Sequence, residues 1–200
     1  MAGEFFAMAT TAARKLPKAD RREQLLETAH LIAREEGTDA LTLGHLAQRA
    51  GVSKPIAYEH FETRSRLMIA LYKRINDRQT EILAAALAHT PQRLDVVAQV
   101  MGEAYMSCYT AVGPEWHAIA AALRGDAEMD TYQQEVIDGH VDFYTGALAP
   151  LCSLAEPDLR RRCVGIVGAA DAISRDMVRG RINKDAAAAD LTSLIVDWLR

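Results

Sequence analysis

Residues 42–71 read TLGHLAQRAGVSKPIAYEHFETRSRLMIAL, and this stretch decides the fold. Thr42 is a good N-cap, and Leu43, Leu46, Ala47 and Ala50 recur behind it at helical spacing, so a short helix ending at Gly51 is expected. Ser53 then caps a second short helix, from Lys54 to about Phe61. Pro55 is tolerated in its first turn, where backbone N–H groups have no intrahelical partner. Two helices joined by a turn of about three residues around a glycine form a helix-turn-helix, whose second helix enters the major groove of DNA. So short a helix is not stable by itself. Packing of Ala57 and Phe61 on neighbouring helices must hold it and leave its other side free.

Working outward, Asp20 is expected to open a helix, with Glu23 in capping-box position. Leu25, Leu26, Ala29, Ile32 and Ala33 give that helix one apolar stripe, and Gly37 stops it. Thr63 caps a long fourth helix carrying Leu67, Met68, Leu71, Ile75 and Ile82. Beyond Pro91 the pattern predicts five further helices, at about 92–112, 115–123, 126–148, 157–179 and 184–199. Period-two alternation is nowhere sustained. The expected class is therefore all-α, with about nine helices: a three-helix N-terminal head and a larger helical body. Residues 1–17 are expected to be a disordered extension or expression remnant, 18–64 the head and 65–200 the body. No flexible linker follows Arg78, so the fourth helix should join the two parts rigidly.

The net charge of −4 argues against nucleic acid only if it is taken as one number. Residues 14–78 carry 13 Lys and Arg against 9 Asp and Glu, whereas 79–200 carry 10 against 17. A basic head on an acidic body suits a chain of which one end meets phosphates. Cys108, Cys152 and Cys163 have no metal-ligand spacing and read as free thiols in a reducing cytoplasm. No uncharged apolar stretch of about eighteen residues exists to span a membrane.

At these residues the chain resembles the TetR family of transcription regulators. The likeness rests on Gly37, Thr42-Leu43, Leu46-Ala47, Ala50-Gly51-Val52-Ser53, Tyr58, His60-Phe61, Arg64 and Leu67. It implies a DNA-binding head and a body that pairs two copies and often holds a small-molecule pocket. It also implies that Thr42 and Ser53 reach phosphates, and that Pro55 lies on the DNA face. Lys54 would follow the backbone or read a guanine edge, Tyr58 and His60 would meet phosphate or sugar, and Arg64 would clamp a phosphate. Three residues depart from the commonest pattern. Ile56 would press on a thymine methyl, Ala57 would thin the local core, and Glu59 would accept from a cytosine amine or turn away.

In the body, Tyr105, Tyr109, Trp116, Tyr132, His140, Phe143 and Tyr144 combine apolar surface with polar handles, as a ligand pocket requires. Met101, with Met106 and Met129, would add adaptable walls. Gly165, Gly168, Ala169 and Ala172 form a strip of small side chains that lets helices approach closely. With Val164, Asp171, Leu191, Leu194, Ile195 and Trp198 they form the expected homodimer interface. The expected partners are a double-stranded DNA operator, a second copy and a small effector, with no cofactor and no metal. No HExxH, GxSxG, Walker or GxGxxG sequence points to an enzyme. The alternatives are a helical binding module that has lost DNA binding, and a small helical enzyme built on the His- and Tyr-rich middle.

Overall fold

The computed structural model describes residues 16–112, 115–122 and 127–200. The described elements are α1 (Lys18–Glu36), α2 (Leu43–Arg49), α3 (Lys54–Phe61), α4 (Arg64–Ala88) and α5 (Leu94–Val112). They continue with α6 (Glu115–Ala122), α7 (Ala127–Leu148), α8 (Glu156–Val178) and α9 (Lys184–Leu199). No strand occurs among the described residues. The expectations for residues 1–15 lie outside them.

Two of the expected caps form. Thr42 Oγ1 accepts from the His45 N–H at 3.1 Å, and Thr63 Oγ1 accepts from the Arg66 N–H at 3.1 Å. Ser53 holds the N-cap position of α3 without a side-chain bond, which leaves its hydroxyl exposed and uncommitted. At α1 the expectation needs correcting. The helix begins at Lys18, behind Pro17, so Asp20 sits inside the first turn and favours the positive helix end instead of capping it.

Gly51 lies at φ +67°, where a side chain would be strained, and the Val52 N–H turns back to the Ala47 carbonyl at 3.0 Å. This reversal lets α3 fold against α2. Leu25, Ala29 and Ile32 of α1, Leu46 of α2, Ala57 and Phe61 of α3, and Leu67 and Leu71 of α4 share one buried core. Between α3 and α4 only Glu62 and Thr63 intervene. Glu62 takes φ 59° and ψ −54°, and the Thr63 N–H donates to the Phe61 carbonyl, closing a tight γ-turn. A non-glycine residue held there stores about 1–3 kcal/mol of strain.

Within α4 the buried stripe shifts as the helix leaves α1 and comes to lie on α5 and α7. Ile82 follows the sequence spacing but is exposed, and Leu83 takes the inward place. In the body, α5 packs chiefly on α9, and α8 packs on α7 and α9. The α5–α9 approach is close, because a Cβ on Gly102 would stand 2.8 Å from the Ala188 carbonyl oxygen.

Candidate nucleic-acid interface and cavity

The two sides of α3 differ in kind. Ala57 and Phe61 are buried, and Ile56 packs half-buried beside them, so Ile56 is only partly available to a thymine methyl. Lys54, Pro55 and Tyr58 stand in solvent, with Tyr58 52% exposed, and Thr42 and Ser53 are exposed at the adjoining helix starts. Lys54 has no ion-pair partner among the described residues. Glu59 pairs with Lys18 of α1 at 3.4 Å, an exposed contact of little energetic weight that draws its carboxylate toward α1. His60 is half-buried, and that burial lowers its pKa below the ordinary value.

Arg64 departs from its expected place. Its Nε donates to the Leu41 carbonyl at 3.0 Å and one Nη to the Thr38 carbonyl at 2.8 Å, tying α4 to the α1–α2 connection. The guanidinium thus gives the Leu41 carbonyl a donor and the Thr38 carbonyl, which already accepts from the Leu41 N–H, a second one, instead of reaching outward. Replacing Arg64 by methionine is expected to cost about 2 kcal/mol, the range for bonds from a charged donor. A urea melt checks this, and a loss below about 0.5 kcal/mol would show the two bonds to be inert.

Other head arginines are also spent inside the molecule. Arg22 donates to the His60 carbonyl at 2.9 Å and lies 4.8 Å from the Phe61 ring centroid, closing the C-terminal end of α3. Arg49 pairs with Glu35 and Glu36, joining α2 to α1, and Arg74 pairs with Glu23 and Glu27, joining α4 to α1. The sequence reading passed over these ties. Glu23 and Glu27, one helical turn apart, were the available sign that a cation would bridge to α1. Four arginines and four glutamates are taken up in this way, so the surplus of four positive charges over residues 14–78 is unchanged and rests on the remaining cations.

A cavity of about 940 Å³ opens between α4, α5, α7 and α8. Of the expected pocket residues, Tyr105, Tyr109, His140, Phe143 and Tyr144 line it. Tyr132 lies one ring back, edge-on to the lining Tyr72 with centroids 6.2 Å apart. Met101, Met106 and Met129 are buried in the core and do not line the cavity. Helical spacing marked them as inward-facing without telling packed from open space. Trp116 belongs to α6, and its side chain lies outside the described residues. The sequence reading did not anticipate Asn76, Gln79, Gln133 and Gln134, carboxamides that line the cavity from α4 and α7.

Burial raises the Tyr105 and Tyr144 phenols well above their usual range and pushes the Cys108 thiol up to about 12, so all three stay protonated at neutral pH. Burial lowers His140 below 6.5. Between that lowered value and 6.5 the folded chain binds fewer protons than the unfolded one, so stability is full above about pH 6.5 and falls on acidification. His140→Gln should flatten this fall in thermal midpoints taken from about pH 7.5 to about pH 5. An unchanged slope would remove His140 as its source.

Among the described residues no group of three potential ligands could hold a metal, and no helix is long and apolar enough to cross a membrane.

Residues 25–71 match the family model for bacterial regulatory proteins of the TetR family. The chain carries the head of the TetR family. The transcriptional activator FasR of Mycolicibacterium smegmatis is 37% identical over 76 residues, 38% of this chain and 35% of that protein. The nucleoid occlusion factor SlmA of Vibrio vulnificus is 36% identical over 61 residues, 30% of this chain and 31% of that protein. The chain thus matches about a third of the length of these relatives. The TetR-like fold extends over the body as well. The fatty acid degradation regulator FadR of Bacillus halodurans superposes with a TM-score of 0.73 at 18% identity, covering 94% of this chain and 99% of that one. The Bacillus subtilis FadR, solved with stearoyl-CoA, gives 0.71 at 17%, covering 89% and 99%.

In this TetR-like body the residues expected at a dimer interface separate into three groups. Leu191 and Ile195 are fully buried within the chain's own core, where α9 packs on α5, and Leu194 is half-buried beside them. Leu191 and Ile195 therefore offer no surface to a second copy, whereas Leu194 keeps part of its own. Val164, Gly168 and Asp171 line the cavity, although Val164 is 50% exposed and Gly168 also reaches the surface. Ala172 and Trp198 remain exposed. The Trp198 ring occupies the space over Gly165, where a Cβ would meet it at 2.5 Å, so the chain fills part of its own small-residue strip.

Proposed function

We propose that the chain is a sequence-specific, dimeric DNA-binding transcription regulator, a repressor that a small apolar or aromatic effector releases from its operator. The observation that carries this reading is α3. Its inner side is anchored by Ala57 and Phe61, and its outer side presents Lys54 and Tyr58 with nothing over them among the described residues. The exposed Val164, Gly168, Ala172 and Trp198 on α8 and α9 support pairing of two copies, whose heads would read half-sites about one DNA turn apart. Its three free thiols suit a reducing cytoplasm.

Control by an effector is supported by α4. Its first half shares the head core with Phe61, and further along Tyr72, Asn76, Gln79 and Thr80 line the cavity. An occupant that binds one head spacing better than another shifts the population and weakens operator affinity. That the Bacillus subtilis neighbour was solved in complex with stearoyl-CoA supports a small-molecule effector on this fold.

Selection of bound fragments from a random duplex pool tests the reading. A palindromic site, bound with an affinity that falls steeply with salt, is the expected result. Ala172→Glu should shift sedimentation toward the monomer and weaken binding to the palindrome, while a half-site keeps its weak affinity. A second reading, a binding module without DNA, is favoured by the internal engagement of Arg22, Arg49, Arg64 and Arg74. Failure to retain any duplex at low salt would establish it.

A further inference from the structure

We propose that the cavity takes an uncharged, multi-ring ligand whose carbonyl or ether oxygens accept from the Tyr105 and Tyr144 hydroxyls. This rests on the reading of the cavity as the effector site.

Tyr144 is 2% exposed and lines the cavity, and its hydroxyl has no hydrogen-bond partner among the described residues. The hydroxyl is not a fully buried atom left without a partner but opens onto the cavity, so it is free to donate to a molecule that enters. Tyr109 donates to the Tyr105 oxygen at 3.1 Å, which leaves the Tyr105 proton for an acceptor in the same space. Burial keeps both phenols protonated, so each is a donor at neutral pH.

The charges lining the cavity balance, Asp130 and Asp171 against Arg175 and Arg179, and each cation lies beside a carboxylate. Its cations among the described residues are Arg175, held by Asp171 one helical turn back, and Arg179, which is 4.0 Å from Asp176. Asp130 adds a negative charge to the lining. A carboxylate or phosphate would have to share a cation with the carboxylate already beside it. An aliphatic chain would fit the volume but offer no acceptor to Tyr144 and Tyr105 and no polar partner to the carboxamides of Asn76, Gln79 and Gln133. Rings stack on Phe143 and the tyrosines, and about 940 Å³ holds a molecule of drug size.

The probes are flavone, xanthone, coumarin and progesterone, each compared with its carbonyl-free counterpart, together with palmitate and palmitoyl-CoA. Binding to the full chain is read by equilibrium dialysis. At least one carbonyl probe should bind saturably and more tightly than its counterpart and than either acyl probe. Tyr144→Phe and Tyr105→Phe should each weaken it about twofold to tenfold and leave the carbonyl-free counterpart unchanged. In the ligand-free protein, Tyr144→Phe should keep or raise the thermal midpoint, whereas a hydroxyl with a structural partner would lower it. Tighter binding of palmitoyl-CoA, no saturable binding by any carbonyl probe, or indifference to both substitutions overturns the proposal. Operator binding by the ligand-free protein is measured alongside. Its absence sinks the regulatory reading but not the cavity chemistry, and the converse result separates them the other way.

Discussion

Replacing Lys54 and Tyr58 together by alanine weakens duplex DNA binding by about thirtyfold to ten-thousandfold, as expected for the loss of two contacts of about 1–3 kcal/mol each. The stability of the fold should hardly change. Both side chains stand in solvent and neither contributes to the core, so the unfolding free energy stays within about 0.5 kcal/mol. That separation gives the experiment its force. The single changes separate the two kinds of contact: without Lys54 the salt dependence should drop by about one unit, whereas without Tyr58 the slope should persist with lower affinity. A double variant that binds as tightly as the parent would mean that α3 is not the element in the groove.

Phe61→Ala has the largest expected effect on stability, a loss of about 3–5 kcal/mol. The ring fills the space between α3, α1 and α4, and it carries the Arg22 guanidinium on its outer face. An eight-residue helix has no other large anchor that is fully buried, since Ala57 supplies only a methyl and Ile56 is half-buried. Removing the ring should therefore release α3 and abolish DNA binding even where the body stays folded. Both tryptophans, Trp116 and Trp198, belong to the body, so helix circular dichroism is needed to follow the head. Phe61→Leu, which keeps most of the volume, should cost less than half as much. Equal losses for the two substitutions would point to ring stacking with Arg22 instead of core volume.

The head was legible because its instructions are local. Thr42 and Thr63 cap within three residues, Gly51 reverses the chain at its own φ, and Ala57 and Phe61 mark an inner side four residues apart. The body was legible as helices but less so as surfaces. Periodicity identifies an apolar stripe without naming what covers it. Leu191 and Ile195 could equally face a second copy, and the structure gives them α5 of the same chain. Met101 misled for the same reason. Arg64 illustrates a different limit, because a cation at a helix start suits a phosphate, and only the fold reveals that the Thr38 and Leu41 carbonyls lie within reach. The cavity was half-visible. Its aromatic members stand out in the sequence, whereas Asn76, Gln79, Gln133 and Gln134 look like ordinary solvated amides until α4 and α7 are brought together.

The two-residue γ-turn between α3 and α4 removes slack from the joint that couples them. At about 1.5 Å per residue, the 25 residues of α4 span about 37 Å. Pivoted at its cavity end, such a rod need tilt by only about 5° to carry the base of α3 sideways by about 3 Å, close to one base-pair step. The same tilt moves the helix beside Tyr72 by about 2 Å, and in the proposed symmetric pair the two head offsets would add to almost two steps of the double helix. A flexible joint would absorb that motion before it reached the groove.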